Sequence, residues 1–195
     1  VDANEMVQIG SGAEKPVETV FLSRYACYLI VQNSDPTKVV VAKGQTYFAI
    51  QTRRQEKADN LIEDNSRVFL REEMKKHNTS LMQAASMAGV ESFAIFQNFG
   101  YKGLYGGLNM QEIHEKKGLK KSQKILDHMN SEELAANLFR ATQADAKIRR
   151  ENISGQTTAN LAHYEVGQKV RSTIVNLGGT MPENLPNPDA IGKAQ

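Results

Sequence analysis

From Thr37 to Lys76 the chain contains no proline and a single glycine, Gly44. Apolar pairs recur through this stretch at Val40/Val41, Tyr47/Phe48, Leu61/Ile62 and Val68/Phe69, with a polar pair, Arg54/Gln55, where one more is expected. An apolar period of seven without helix breakers restricts the stretch to one long helix, or to two with a break near residues 54–60. Its apolar stripe has two uses: packing against the rest of the chain, or forming a homodimer seam through residues 37–76. The polar interruption at Arg54/Gln55 weakens the coiled-coil form of the second use.

The flanking sequence is organised in short pieces. Residues 5–9 (EMVQI) and 17–22 (VETVFL) alternate and are β-branched, and the turn formers from Gly10 to Pro16 lie between them, so a β-hairpin is expected. Ser23 is placed to cap a helix over 24–33 that is apolar nearly all round and therefore expected to be buried. Asp35 and Pro36 suit the start of the next helix. His77-Asn78-Thr79 reads as a break, with a continued helix as the alternative. Residues 80–89 are helical in composition, and residues 91–99 carry Phe93, Ile95, Phe96 and Phe99 as core anchors ahead of a glycine-rich loop, Gly100–Gly107. Asn109 with Glu112, and Asn130 with Glu133, have the spacing of capping boxes. They open helices over 110–117, ended by Gly118, and over 131–150. A short helix over 122–128 lies between these, and a last helix spans about 157–177. The tail holds Pro182, Pro186 and Pro188 and reads as extended. The expected fold is mainly α, with an N-terminal hairpin, a long helix and a helix–turn–helix-like segment. Its domains are 1–58, 59–181 and an extended tail, 182–195.

Hydrophobic residues make up 40% of the chain and charged residues 24%, for a net charge of +2. That balance suits a folded domain and argues against a strongly basic nucleic-acid coat, so any nucleic-acid contact must be local. No apolar run reaches the roughly 18 residues of a membrane span, and no signal peptide is evident. The single cysteine, Cys27, excludes an internal disulfide and a cysteine-rich zinc site; it reads as a buried core thiol. An intracellular, cytoplasmic protein fits these features. The chain opens on Val1 and is read as a piece of a longer protein.

The local exception to near-neutral charge is residues 100–129. Lys116, Lys117, Lys120, Lys121 and Lys124 crowd one turn, with Glu112, Glu115 and Asp127 as the nearby acids. On a helix–turn–helix this field suits a phosphate backbone, an acidic protein that imitates one, or simple solvation. In the preceding loop, Tyr101 and Tyr105 beside Lys102 are candidates for stacking exposed bases; packing in a tight turn is the competing reading. The candidate nucleic-acid residues are thus Tyr101, Lys102, Tyr105, Lys116, Lys117, Lys120, Lys121 and Lys124. Lys147, Arg149 and Arg150, with Arg140, read as cations at a helix C-terminus. His77 and His163 are isolated and read as surface or helix-packing residues. Glu112, His114, Glu115, Asp127 and His128 mix imidazoles and carboxylates without metal-ligand or nucleophile spacing. No catalytic residue, metal or cofactor is expected, and a metal-dependent nuclease is a minor alternative.

Five segments carry a family resemblance: FLSRYACYLIVQNSDP (21–36), GQTYFAIQTRRQE (44–56), FQNFGYKGLYGGLNMQEIHEKKGLKKSQKILDHM (96–129), ELAANLFRATQ (133–143) and GGTMPENLP (178–186). The chain resembles the bacterial DNA damage-inducible protein D family over almost its whole length. The first sixty residues are also similar to part of the BRO-type domain of phage antirepressors, which implies an incomplete α+β domain there. The resemblance implies a non-enzymatic cytoplasmic protein of the SOS response that acts on DNA, single-stranded or duplex, or on RecA recombinase–DNA filaments. The antirepressor likeness implies contacts to DNA or to a repressor, and the alternative function is an antirepressor-like protein–protein module that dimerises and captures a regulatory partner. Neither resemblance assigns a functional residue.

Overall fold

The computed structural model describes residues 2–10 and 12–189. Ser11, in the expected turn, and the tail beyond Asp189 lie outside the described residues. Contacts divide the chain into two units, Val1–Asp59 and Asn60–Gln195.

In the first unit β1 (Asp2–Ile9) and β2 (Ala13–Val20) form the expected antiparallel hairpin, in register from Asp2↔Val20 to Ile9↔Ala13. Pro16 is tolerated because each strand of a two-stranded ribbon has a free edge. α1 (Arg24–Gln32) starts where expected, with the Ser23 hydroxyl accepting from the Ala26 amide at 3.1 Å. It is not buried, contrary to its composition: Tyr25 is 69% exposed, and none of its residues is fully enclosed. Cys27 is half-buried rather than a core thiol. The reason is geometric. One turn of the following helix packs on α1, through Gly44 against Val31 and through the Tyr28–Phe48 ring pair, 5.3 Å between centroids. A single contacting helix covers only part of a helix circumference.

α2 runs unbroken from Val39 to Met87, about 70 Å at the ordinary rise. Of the two readings of residues 37–76, the single long helix is the one observed, and the break read at His77–Thr79 does not occur. Thr79 turns its hydroxyl back onto the Lys75 carbonyl (3.0 Å), and Asn78 accepts from Gln97 (3.2 Å), so both polar side chains are accommodated without opening the backbone. Lys75–Glu72 and Lys76–Glu73 pairs line its solvent face.

The second unit holds the C-terminal part of α2 together with α3 (Phe93–Leu104), α4 (Met110–Lys116), α5 (Ser131–Arg150) and α6 (Gln156–Asn176). Two 3-10 turns, Ile125–His128 and Pro182–Asn184, complete it. The expected loop at 100–107 is largely helical, because α3 continues through Gly100 and Gly103 to Leu104. These glycines serve helix packing: with Gly167 of α6 they let the α3 and α6 backbones meet, and this is the most extensive helix–helix contact of the unit. One apolar cluster gathers Leu81, Phe96, Ile148 and small residues such as Ala84, Ala141 and Ala159. A second gathers Tyr101, Leu104, Tyr105, Ile113, Met129 and Leu134.

Candidate nucleic-acid interface

α4 is built as its sequence indicates. Asn109 accepts from the amides of Gln111 and Glu112, while Glu112 reaches back to the Asn109 amide at 2.7 Å, a complete capping box. Gly118, at φ +64°, ends it. The second helix of the expected helix–turn–helix is absent. Residues 119–124 form an irregular turn that leads into one 3-10 turn over Ile125–His128. Competing hydrogen bonds explain this. Gln123 accepts from the Lys120 amide (2.7 Å), and buried Arg67 draws off the carbonyls of Asp127 and Met129, both at 3.0 Å. The Gln123 carbonyl lies 3.0 Å from His114 Nε2, and the Asp127 amide donates to the Lys124 carbonyl at 3.0 Å, an i to i−3 bond, so the segment closes as a 3-10 turn.

The five crowded lysines separate into two groups. Lys120, Lys121 and Lys124 are exposed, and their ammonium groups form no ion pair among the described residues. Lys116 reaches Asn184 at 3.3 Å. Lys117 is not a surface cation at all: its side chain is 6% exposed and its Nζ donates to Glu133 (2.8 Å) and Asn187 (2.9 Å). The C-cap turn at Gly118 faces it toward the N-terminus of α5, where Glu133 lies. Lys102, in the last turn of α3, is half-buried, with its ammonium 6.0 Å from the Phe99 ring centroid.

Tyr101 and Tyr105 cannot stack bases, because they are 5% and 1% exposed and belong to the second core cluster. The continuation of α3 through Gly103 turns them inward. Tyr105 donates to Glu133 at 2.8 Å and accepts from Asn137 at 2.7 Å. Burial pushes its hydroxyl well above the usual tyrosine range, and the Glu133 carboxylate adds to the shift, so it stays protonated and remains a donor. Burial likewise raises the Glu133 carboxyl, against the opposing pull of Lys117 and Tyr105. Asn130 caps α5 by accepting from the Glu133 amide (2.8 Å), but the Glu133 carboxylate points inward and leaves its half of the expected box unmade; Glu63 bonds the Ser131 amide at 2.7 Å instead.

Arg140 is also misplaced by sequence reasoning. It is fully buried, and its guanidinium lies 4.8 Å from the Tyr101 ring centroid, donates to Asn137 and donates to Nε2 of His163. His163 Nδ1 lies 3.0 Å from the Phe96 carbonyl, which can only accept. The ring is therefore the neutral Nδ1–H tautomer, with Nε2 free to accept from Arg140. Burial, then the Arg140 charge, hold His163 well below its ordinary 6.5. A depressed histidine contributes stability that is present above the unfolded value and is lost as pH falls below it. The stability advantage of the unaltered chain over His163→Gln should accordingly shrink below pH 6.5, by up to about 1.4 kcal/mol per pH unit. Urea titrations between about pH 4.5 and pH 7.5 would measure it; an advantage that does not change with pH would show that His163 takes up its proton in the fold as readily as in the unfolded chain.

The tail is tied down as far as it is described. Arg171 holds Glu183 with two bonds (2.7 and 2.8 Å) and the Leu104 carbonyl at 2.9 Å, and Arg67 bonds the Asp189 carbonyl at 2.7 Å. Sequence reasoning missed Arg67, Glu133 and Arg171. Isolated charges at helix spacing carry no mark of burial. Among the described residues no group of three or more His, Cys, Asp or Glu side chains is arranged to hold a metal ion, and no helix is long and apolar enough to cross a membrane.

A hairpin followed by helices defines a mainly helical protein, and its turn over 119–124 carries three exposed lysines without ion pairs among the described residues. Residues 61–194 match the family model described as the DinD C-terminal domain. The chain is 60% identical over 192 residues to DNA damage-inducible protein D of Escherichia coli (strain K12), an alignment that covers 94% of this chain and 70% of that relative. The chain belongs to the DinD C-terminal domain family.

Proposed function

We propose that this chain serves the bacterial response to DNA damage in the cytoplasm, by binding rather than by catalysis. Its ligand is DNA, free or within a RecA recombinase filament, and the contact is the turn bearing Lys120, Lys121 and Lys124. The supporting observation is that these three ammonium groups are exposed without carboxylate partners among the described residues, while Lys117 is neutralised by Glu133. Similarity to a damage-inducible relative supplies the biological setting.

With three phosphate contacts rather than five, the log–log salt slope should be about −2.7 on duplex DNA and about −2 on single strands. Changing all three lysines to glutamate should abolish binding in a mobility-shift titration and leave the melting temperature unchanged. A salt-independent affinity, or undiminished binding by the triple variant, would rule the contact out.

A second reading is favoured by the outer face of α2, where Leu61, Ile62 and Phe69 are 62%, 66% and 65% exposed. Here residues 37–76 form a homodimer seam or capture a regulatory partner, as in an antirepressor-like module. Sedimentation that shows only monomer at micromolar concentration would exclude the homodimer.

A further inference from the structure

Beside the lysine turn lies a groove of about 750 Å³ between α4 and residues 119–126. Its lining is mainly apolar, with Met110 from α4 on one wall and Leu119 and Leu126 on the other. Met110 is half exposed, and both leucines are partly accessible. Two cations, Lys121 and Lys124, line the groove against one carboxylate, Glu115, which accepts from Gln111 at 3.0 Å. The walls are pinned together: His114 Nε2 lies 3.0 Å from the Gln123 carbonyl, and the Leu119 amide donates to the His114 carbonyl at 3.2 Å. The groove therefore exists before any ligand arrives, which reduces the ordering a ligand must impose.

We infer that this groove docks an acidic, apolar segment of a partner protein, with its leucine or aromatic side chains among Met110, Leu119 and Leu126 and its carboxylates against Lys121 and Lys124. Charge complementarity selects the occupant. A neutral apolar peptide would leave two cations unpaired there, and a basic one would be repelled. The aliphatic lining distinguishes this ligand from a nucleobase. Bases are held by stacking on exposed rings, whereas Tyr101 is enclosed in the core and the His114 ring is held by its hydrogen bond to Gln123. The inference goes beyond the proposed DNA contact, with which it shares two lysines, and the two ligands should compete.

The test uses the full chain and fluorescein-labelled peptides of a dozen residues or so. One carries leucine and phenylalanine among aspartates and glutamates, and a second replaces the apolar residues by serine. Anisotropy should show the apolar acidic peptide binding at least about tenfold more tightly than the serine form. Met110→Ser, at an exposed position that does not endanger the fold, should weaken that peptide about tenfold, and Lys121→Glu/Lys124→Glu should abolish its binding. A labelled single-stranded oligonucleotide should bind Met110→Ser as well as it binds the unaltered chain, so the DNA contact and the groove fail separately. Equal affinity for both peptides, failure of both to bind, or a Met110→Ser variant with undiminished peptide affinity would each overturn the inference.

Discussion

Gly167→Ala is expected to destabilise the helical unit by about 3 kcal/mol or more. The sign is diagnostic, because glycine to alanine inside a helix ordinarily stabilises by up to about 1 kcal/mol. A Cβ at Gly167 would stand 2.7 Å from the Gly100 carbonyl oxygen and 2.8 Å from the Leu104 amide nitrogen. Both are backbone atoms of α3 and cannot rotate aside, so α3 and α6 must separate and open the largest interface of the unit. At Gly103 a Cβ would collide with the Tyr164 carbonyl in the same way, and Gly103→Ala should match it. Ser172→Ala, exposed on the same helix, should stay within about 0.5 kcal/mol. Urea unfolding followed by circular dichroism decides the matter, and a Gly167→Ala variant as stable as the unaltered chain would show that the two helices do not meet so closely.

Lys117→Met is expected to lower stability at neutral pH by about 3–5 kcal/mol, because it strands a buried carboxylate. Glu133 is fully enclosed, and Lys117 supplies its opposite charge at 2.8 Å. Burial already raises the Glu133 carboxyl, and without Lys117 it rises further. A carboxyl raised in the fold contributes stability that is complete below its unfolded value, 4.5, and is lost as pH climbs through the folded value. The deficit of Lys117→Met should therefore shrink as pH is lowered toward 4.5 and widen above it. Adding Glu133→Gln should restore much of the loss, since a neutral amide can still accept from Tyr105. Unfolding curves at about pH 5 and about pH 8 separate the cases. A deficit equal at both, or larger in acid, is incompatible with an ionised pair at this place.

Lys117 also shows why the basic surface is smaller than its sequence implies. The five lysines from Lys116 to Lys124 look equivalent along the chain. The turn at Gly118 directs one of them inward, and the tail engages another through Asn184. The same applies to the tyrosines: the glycines around Tyr101 and Tyr105 suggest a loop, yet Gly100 and Gly103 serve contact with α6. Arg140 resembles a helix-terminal cation until the packing of α5 on α6 brings His163 against it.

Local patterns alone determined the hairpin, the α4 capping box, the start of α5 at Asn130, the limits of α6 and the helical character of residues 39–76, though not its continuity, because each depends on neighbours a few residues apart. The family, too, was legible in the residues themselves. Tertiary structure decided which charges are free, which are paired, and that the segment after Gly118 is a turn rather than a second helix. Those outcomes depend on groups far away along the chain, such as Arg67 against the Asp127 and Met129 carbonyls. Burial assigns a charge its partner, and burial comes from the assembled fold.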